Sequence, residues 1–499
     1  MTSCNYKEVN TEEIAFNEKK PSWKPFFRQV LVCTGVWTSY FMFGLCSGAP
    51  TVFIPQIRKE ANSTEIITDE MASWLTSIFS LSGFPWVIVF SVFTRCMGRK
   101  LPFIIAAIDT FLAFAVLFFS TNITQILISE IMHGFFGASQ IVVSILVLTE
   151  YTSPRYRGLF LTLKSATYFW GIWASNAIGT FLHWKKIPLF GIMCSVYTLL
   201  TVTVWPESPY WLASQRKYEE CAISHRWLKG CDDSSEKELA SLIDTQKEYQ
   251  RNNIKRSMTL KENIKDLYVT VTSQVFYKPI LIATMTGTLS IASGKLVFTV
   301  YAIDIIKKIT DSEKAAYIGM LILDGVTVLS MYVGCALSKI LKRRTLLLTA
   351  GSIGVLFLFL LSAYLYLIKL SFVNENKYVS IFLLSAFSLA VSCGPLILST
   401  SVYGELIPVR SRNLAICVIA VVGKIIIGTV LKISPSIFKT FGLHGAFLTF
   451  AIATLTLLLL LYKYLPETKD KTLQEIAESM KVKPKTRKET ITLISEKKV

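Results

Sequence analysis

The 499-residue sequence is poor in the residues that enzyme and metal sites need. Only 17 % of its residues are charged and only four are histidines. No pattern in it pairs a nucleophile with a base, cradles a phosphate or clusters metal ligands. Its ten cysteines are scattered without a C-x-x-C pair, which argues against a disulfide framework or a metal site. Residues 1–20 lack an apolar run, so no cleaved signal is expected. We therefore expect neither an enzyme nor a cofactor.

The sequence is instead rich in long apolar stretches. Its hydrophobic fraction is 52 % and its mean hydropathy is +0.48, too high for an ordinary soluble protein. Crossing a ~30 Å hydrocarbon core takes roughly 20 residues. Stretches of about that length, numbered here as spans 1 to 12, lie near 30–56, 72–94, 101–120, 123–149, 158–182, 187–205, 279–303, 315–338, 345–368, 378–403, 413–436 and 442–465. The sequence therefore predicts an all-α membrane protein with 12 transmembrane helices, six on each side of a polar segment.

Three short charged signatures occur twice in the chain, in the same order, about 250 residues apart. The first copy consists of Gly98-Arg99-Lys100, Glu150 with Arg157, and Pro206-Glu207-Ser208. The second consists of Lys342-Arg343-Arg344, Glu405 with Arg412, and Pro466-Glu467-Thr468. Each signature lies at a predicted helix end on one face of the membrane. A duplicated chain with many spans is typical of transporters whose site lies between the two halves.

The distribution of basic residues predicts the orientation. An even number of spans places both tails and the central polar segment on one side, where most of the Lys and Arg residues fall, so this side is expected to be cytoplasmic. Asn62 and Asn122 begin glycosylation sequons and both fall on the predicted outer face. The net charge of +18 is interpreted as a lipid-surface effect without nucleic acid. We expect a multi-pass plasma-membrane protein.

The domain boundaries follow from the spans and the orientation. The predicted units are a cytoplasmic N-tail 1–29, an N-terminal bundle 30–205, a cytoplasmic loop 206–277 with amphipathic helices, a C-terminal bundle 278–465 and a cytoplasmic C-tail 466–499.

Taken together and in this order, the signatures resemble those of the sugar porter family of the major facilitator superfamily, in its insect facilitated trehalose transporter-like branch. The resemblance covers about residues 30–480, and this chain is identified as a divergent member. It is carried by 150–158, 206–209, 404–408 with Arg412, and 466–473. The resemblance implies two six-helix bundles in a lipid bilayer, a small-molecule substrate of the trehalose or hexose class, and facilitated alternating access around a central cavity. It gives no oligomeric state.

The charged signatures are candidates for a cytoplasmic gate. Pairs that cross from one half to the other can hold an inner gate shut, and exposed pairs are weak enough to break in every cycle. The predicted gate residues are Arg99, Glu150, Arg157, Glu207, Arg343, Glu405, Arg412 and Glu467. The alternative for the basic residues is simple positive-inside anchoring.

The sequence departs from the family pattern where sugar porters bind their cargo. Two glutamine positions of span 7 are Ser290 and Ile291, and its asparagine position is Leu296. Amides offer the donor and the acceptor that a polyol needs, whereas Ile and Leu offer neither. The predicted substrate-binding residues are Ser165, Ser290, Gly294, Lys295, Tyr301, Thr400 and Lys424.

Several ionisable residues fall inside the predicted spans, namely Lys295, Lys424, Asp109, Glu130, His133 and Asp324. Charges at bilayer depth usually face the protein interior with a partner. Lys295 and Lys424 either line the cavity and attract an anionic solute or pair internally, for instance with Asp324. A proton relay through Glu130 and His133 is open, but span 1 has no acid, which disfavours proton symport.

Three functions therefore remain open from the sequence. The first is a facilitative sugar carrier. The second is a carrier of an organic anion or zwitterion that uses Lys295 or Lys424. The third is a sensor that binds a solute without transporting it.

Overall fold

The computed structural model describes residues 23–60, 67–254, 269, 272–310, 312–374, 376–399, 406 and 412–467. This part of the chain is almost entirely helical, and ten of its helical segments are long and apolar enough to cross a membrane. One of them, Leu414–Tyr464, counts as two spans because its backbone breaks at Gly442, where φ is 70°. Pro154–Phe181 is a further helix of 28 residues that packs along span 1. The predicted all-α fold with twelve spans is confirmed.

The spans keep their predicted order. Their bounds are Lys24–Glu60, Asp69–Cys96, Lys100–Phe119, Ile123–Tyr151, Pro154–Phe181 and Lys186–Val204 in the first half. In the second half they are 274–300, Glu313–Ile340, Arg343–Lys369, Lys377–Ser399 and the two parts of Arg412–Tyr464. Span 7 consists of Gln274–Ala292 and Lys295–Val300, joined at Gly294, whose φ of 73° ends the first helix. A short helix, Ala302–Thr310, follows it.

Polar side chains start several of the spans. Thr68 accepts a hydrogen bond from the backbone N–H of Met71, and Asn122 accepts one from Gln125. These oxygens satisfy backbone donors that the first helical turn leaves without a partner. Pro154 stands in the first turn of span 5, where its missing N–H costs nothing. Local residues in the sequence therefore determine where these spans begin.

Three helices follow span 6 in the central polar segment, with bounds Pro209–Ser214, Tyr218–Lys229 and Asp233–Ile254. They share a small buried cluster that includes Leu212, Cys221 and Leu239. They also attach to the first bundle, since the Trp211 indole donates to the carbonyl of Arg95 (3.0 Å). These helices brace one end of that bundle.

Spans 1 and 5 approach each other closely at two glycines. A Cβ at Gly44 would lie 1.9 Å from the carbonyl oxygen of Tyr168, and one at Gly171 would lie 2.0 Å from that of Phe41. Only glycine fits at either position, and the two backbones are in direct contact there. This contact ties span 5 to the core of the first bundle.

Two pairs of helices make the main contacts between the two halves. Span 2 packs on span 11, and span 5 packs on span 8. We call the end of the molecule that carries Arg99, Glu150, Glu207 and Glu467 the signature end, and the other end, which carries Asn122 and Tyr301, the opposite end. The space left between the halves forms the candidate site.

Candidate functional site

A cavity of about 300 Å³ lies between the two halves. Both halves contribute to its wall, which is mostly apolar and aromatic and includes Phe43, Phe79, Tyr168, Ile291 and Leu296. A volume of this size accepts a small organic molecule.

Four of the predicted binding residues line this cavity, namely Ser165, Ser290, Lys295 and Lys424. The Ser290 hydroxyl donates to the carbonyl of Pro395 (2.9 Å), and the Ser165 hydroxyl donates to that of Leu161 (3.4 Å). Each hydroxyl donates its only proton to a backbone carbonyl, so its oxygen remains available to accept a hydrogen bond. Gly294 is not among the lining residues, and Thr400 lies outside the described residues.

Lys424 extends from span 11 to the wall that the first half contributes. Its ammonium lies 4.8 Å from the centroid of the Phe79 ring and 5.3 Å from that of Phe43. The residue is 2 % exposed. Among the residues that the structure describes, the ammonium makes these two cation–π contacts and has neither a hydrogen bond nor an ion pair.

Lys295 has a different environment. It begins the second helix of span 7, and its charge interacts with the carboxylate of Asp324 in span 8. The amide of Asn176 donates to that carboxylate at 2.6 Å. Asn176 belongs to span 5, so this buried group links the two halves. The internal neighbour that the sequence offered for Lys295 is therefore present, although the two charges form no direct ion pair in the described part of the chain.

Contacts between the halves close the opposite end of the cavity. The hydroxyl of Tyr301 lies 2.9 Å from that of Thr76 and donates to the carbonyl of Leu431. The ammonium of Lys432 donates to the hydroxyl of Ser73 (2.8 Å). Tyr301, a predicted binding residue, is not among those that line this cavity; it belongs to the seal and lines a second space, of about 360 Å³, beyond it.

Two further contacts strengthen the seal. The Lys432 ammonium lies 3.9 Å from the centroid of the Trp74 ring, and Lys59 forms a 3.5 Å ion pair with Glu313. Each of them joins the first half to the second.

Two of the predicted gate residues, Arg99 and Glu150, pair with each other. Arg99 forms two parallel hydrogen bonds with Glu150 (2.8 and 2.7 Å), and the pair is almost entirely buried. The hydroxyl of Ser208 also donates to Glu150. Burial opposes the charge of Arg99, but the Glu150 carboxylate raises the pKa of the guanidinium above its ordinary value. Arg99 and Glu150 both belong to the first bundle, and Ser208 directly follows it, so this buried pair does not cross between the halves.

The Pro-Glu signatures cap helices, and they do so in the same way in both halves. The Glu207 carboxylate accepts from the backbone N–H groups of Arg99 (2.8 Å) and Lys100 (3.3 Å). Glu467 accepts from those of Arg343 (3.1 Å) and Arg344 (3.2 Å). A carboxylate is stabilising at the start of a helix because the first N–H groups have no partner there. The repeated Pro-Glu signature therefore makes the same helix-capping contact in both halves.

The remaining gate residues are described in part. Arg157 donates to the carbonyl of Thr152 within its own half (3.2 Å). Arg412 begins span 11, and Glu405 lies outside the described residues. Asn62 also lies outside them, whereas Asn122 is exposed at the start of span 4.

Three of the predicted intramembrane charges lie inside the first bundle, away from the cavity lining. Glu130 and His133 are fully buried. Both carboxyl oxygens of Glu130 and both ring nitrogens of His133 are without a hydrogen-bond partner in the described part of the chain. The His133 ring packs edge-on against Phe114. One oxygen of Asp109 is likewise without a partner there.

The sequence interpretation missed one buried cation, Lys164. Its ammonium lies 4.3 Å from the centroid of the Tyr40 ring, and the residue is 3 % exposed. The signal was available, since Lys164 lies seven residues after Arg157 inside an apolar run.

The chain is similar to known proteins over most of its length. A family model described as "Sugar (and other) transporter" matches residues 31–480. The facilitated trehalose transporter Tret1 of Apis mellifera ligustica is 23 % identical over 484 residues, which cover 95 % of this chain and 93 % of the relative. Tret1 of Drosophila mojavensis is 22 % identical over 470 residues, covering 92 % of this chain and 52 % of the relative. The chain therefore spans about half the length of the Drosophila relatives that it matches.

Solved structures with the same fold are also known. The proton:xylose symporter XylE bound to 6-bromo-6-deoxy-D-glucose superposes with a TM-score of 0.73 at 14 % identity, over 92 % of this chain and all of that one. The inward-open conformation of XylE from E. coli has a TM-score of 0.69 at 13 % identity, over 90 % of this chain and 99 % of that one. These similarities show the major facilitator superfamily fold.

Proposed function

The chain belongs to the Sugar (and other) transporter family, and on this premise we propose that it is a facilitative carrier that moves a sugar of the trehalose or hexose class by alternating access. It is a multi-pass membrane protein of a transporter family rather than an enzyme. The observation that carries the proposal is the cavity between two bundles, sealed at the opposite end by contacts between them. Curated relatives named facilitated trehalose transporters support the choice of cargo.

The contacts of the seal suit a gate that opens in every cycle. A hydrogen bond such as that between Thr76 and Tyr301 contributes about 0.5–1.5 kcal/mol net. The exposed pair of Lys59 and Glu313 contributes about 0–1 kcal/mol. A sum of this size can be overcome by modest differences in how the cargo binds the two states.

The contacts at the signature end have the complementary role. The buried pair of Arg99 and Glu150 holds helices of the first bundle together, and the caps by Glu207 and Glu467 tie the segment that follows each bundle to a helix of that bundle. Each bundle can then move as a unit while the seal between the bundles opens and closes. The moving units in this account are the bundles 30–205 and 278–465, joined by the segment 206–277.

In the cell, the signature end faces the cytoplasm and the carrier resides in the plasma membrane with both termini inside. The excess of Lys and Arg at the tails and central segment supports this orientation. Asn62 and Asn122 then face outward, where both are candidates for glycosylation. With this orientation the sealed opposite end is the outer gate, and the described conformation is closed to the outside.

The sugar is held by the side chains that line the cavity. The oxygens of Ser165 and Ser290 accept hydrogen bonds from sugar hydroxyls, because both serines donate their own protons to backbone carbonyls. Lys295 donates to the sugar, and Gly294 supplies the bend that turns Lys295 into the cavity. Thr400 is retained as a candidate from the sequence.

The test is uptake of labelled glucose and trehalose into liposomes that carry the purified full chain, with and without the same sugar inside. A facilitative carrier shows saturable uptake that is accelerated by preloaded sugar. Uptake that neither saturates nor responds to preloading, in protein shown to be folded, overturns the proposal.

A further inference from the structure

The central cavity contains a charge that a neutral sugar does not explain. Lys424 is 2 % exposed, and its ammonium lies over the faces of Phe43 and Phe79 without a hydrogen bond or an ion pair among the described residues. Buried ammonium groups are normally paired with a carboxylate, because ring faces replace only part of the lost hydration. The described part of the chain provides no counter-charge for Lys424.

Two glycines make room for this ammonium at the boundary between the halves. A Cβ at Gly137 would lie 2.9 Å from the Lys424 Nζ, and one at Gly83 would lie 3.4 Å from it. The side chain crosses from span 11 of the second half to spans 2 and 4 of the first. Its charge is thus placed where a molecule in the cavity contacts both halves.

The other lysine of the cavity does not share this environment. Lys295 interacts with the Asp324 carboxylate, which the Asn176 amide orients. Lys164 is also buried over an aromatic ring but is not among the lining residues. The described cavity wall therefore carries one uncompensated positive charge, at Lys424.

We propose that the cavity binds an organic monocarboxylate with an apolar body, whose carboxylate pairs with the Lys424 ammonium. The apolar body lies against the rings of Phe79 and Tyr168 and the side chain of Ile419, which line the same cavity. One uncompensated charge matches one carboxylate, and a volume of about 300 Å³ matches a small aromatic or aliphatic acid. This inference rests on the proposed function, because it uses the same cavity as a transport site.

A matched pair of probes tests the charge directly. Binding of 3-phenylpropionate to the purified full chain is compared with binding of its amide, which has the same shape without the charge. We expect the acid to bind at least about tenfold more tightly than the amide, since charge-assisted hydrogen bonds are about twice as strong as neutral ones. Equal affinities, or tighter binding of the amide, overturn the inference without any variant.

Three substitutions assign the preference to Lys424. Lys424→Met is expected to abolish the preference for the acid, and Lys424→Arg is expected to retain most of it. Lys463→Met is the matched control, because Lys463 also lies over an aromatic ring (5.4 Å from the Tyr464 centroid) but is exposed at the end of span 12. A preference that persists in folded Lys424→Met contradicts the inference.

Gly137→Ala provides a second variant should Lys424→Met fail to fold. Its new methyl group would displace the ammonium, and we expect weaker binding of the acid with little change for the amide. Unchanged binding of the acid in this variant also counts against the inference.

Sugar counterflow in the same preparations separates the two proposals. Sugar flux without binding of the acid overturns the carboxylate site and leaves the sugar carrier intact. Binding of the acid without sugar flux supports the site and overturns the choice of sugar as cargo.

Discussion

The hydroxyl of Tyr301, in the second half, lies 2.9 Å from that of Thr76, in the first half. Thr76 belongs to span 2 and Tyr301 directly follows span 7, and the two side chains meet above a cavity that both halves line. Tyr301 also donates to the carbonyl of Leu431 on span 11. This small cluster therefore joins three spans and seals the opposite end of the cavity.

Removal of one hydroxyl should loosen this seal. Tyr301→Phe eliminates both hydrogen bonds while keeping the ring, so we expect the population open at the opposite end to rise about two- to tenfold, as expected for about 0.5–1.5 kcal/mol. The measurement is the rate at which a membrane-impermeant thiol reagent, added on that side, labels Cys46 of the cavity wall. Tyr364→Phe is the control, because its hydroxyl bonds Asn376 within the second half. Equal labelling rates in the two variants would contradict this role for Tyr301.

The buried pair of Arg99 and Glu150 should be a major contributor to the stability of the first bundle. Glu150→Gln leaves a buried guanidinium without its counter-charge, so we expect the free energy of unfolding to fall by about 3 kcal/mol or more. The double variant Arg99→Met/Glu150→Leu should be less destabilised than the single variant. Glu236→Gln, in the exposed pair with Arg226, serves as the control and should change stability much less than Glu150→Gln, because solvent screens exposed pairs. Unfolding in detergent measures all three, and a Glu150→Gln loss no larger than the control refutes the interpretation.

The contact between spans 1 and 5 should not tolerate even a methyl group. In Gly44→Ala the new carbon would meet the carbonyl oxygen of Tyr168, so we expect a loss of about 1–3 kcal/mol or a misfolded protein. Gly158→Ala, in the partner span 5, is the control, since a Cβ there meets nothing within 4 Å. Thermal stability and the yield of folded protein distinguish the two variants. Similar behaviour of both would show that the spans are not in close contact at Gly44.

The bracing helices at the signature end should weaken in acid. Burial, followed by the charge of Lys229, lowers the pKa of His225 to about 4 from an ordinary value of 6.5. As the pH falls, His225 takes up a proton at a higher pH in the unfolded segment than in the folded one. The stability of these helices therefore falls as the pH decreases from about 6.5 to about 4. Hydrogen exchange over 209–254, corrected for intrinsic rates, should therefore show less protection at pH 5 than at pH 7.

A variant without the titrating group provides the control for this pH dependence. His225→Gln should lose much less protection between the two pH values. The interpretation would be wrong if the native chain and this variant responded alike.

The sequence predicted the helices well because their limits are local. The break at Gly442 and the caps at Thr68 and Asn122 depend on residues within a few positions of the chain. The duplicated signatures also indicated a real repeat, since Glu207 and Glu467 make the same backbone contacts in their two halves.

The sequence could not predict which way each helix turns its side chains. Arg99 and Glu150 were candidates for the cytoplasmic gate, with anchoring as the alternative for Arg99, and the sequence did not indicate that they pair inside one bundle. Tyr301 was predicted as a substrate-binding residue, and its hydroxyl contacts Thr76 of the other half. For Lys295 both a cavity position and an internal acidic neighbour had been considered, and the structure contains both. Such outcomes depend on the rotation of each span in the bundle, which apolar runs leave undetermined.

Covalent closure of the opposite end tests alternating access most directly. Lys59 and Glu313 form an ion pair across this end, so cysteines at both positions can be joined by a short thiol-reactive linker that a reductant cleaves. We predict that sugar counterflow stops when the linker is in place and returns on reduction, while each single-cysteine variant, treated in the same way, remains active. Undiminished flux through a fully linked protein would contradict the account.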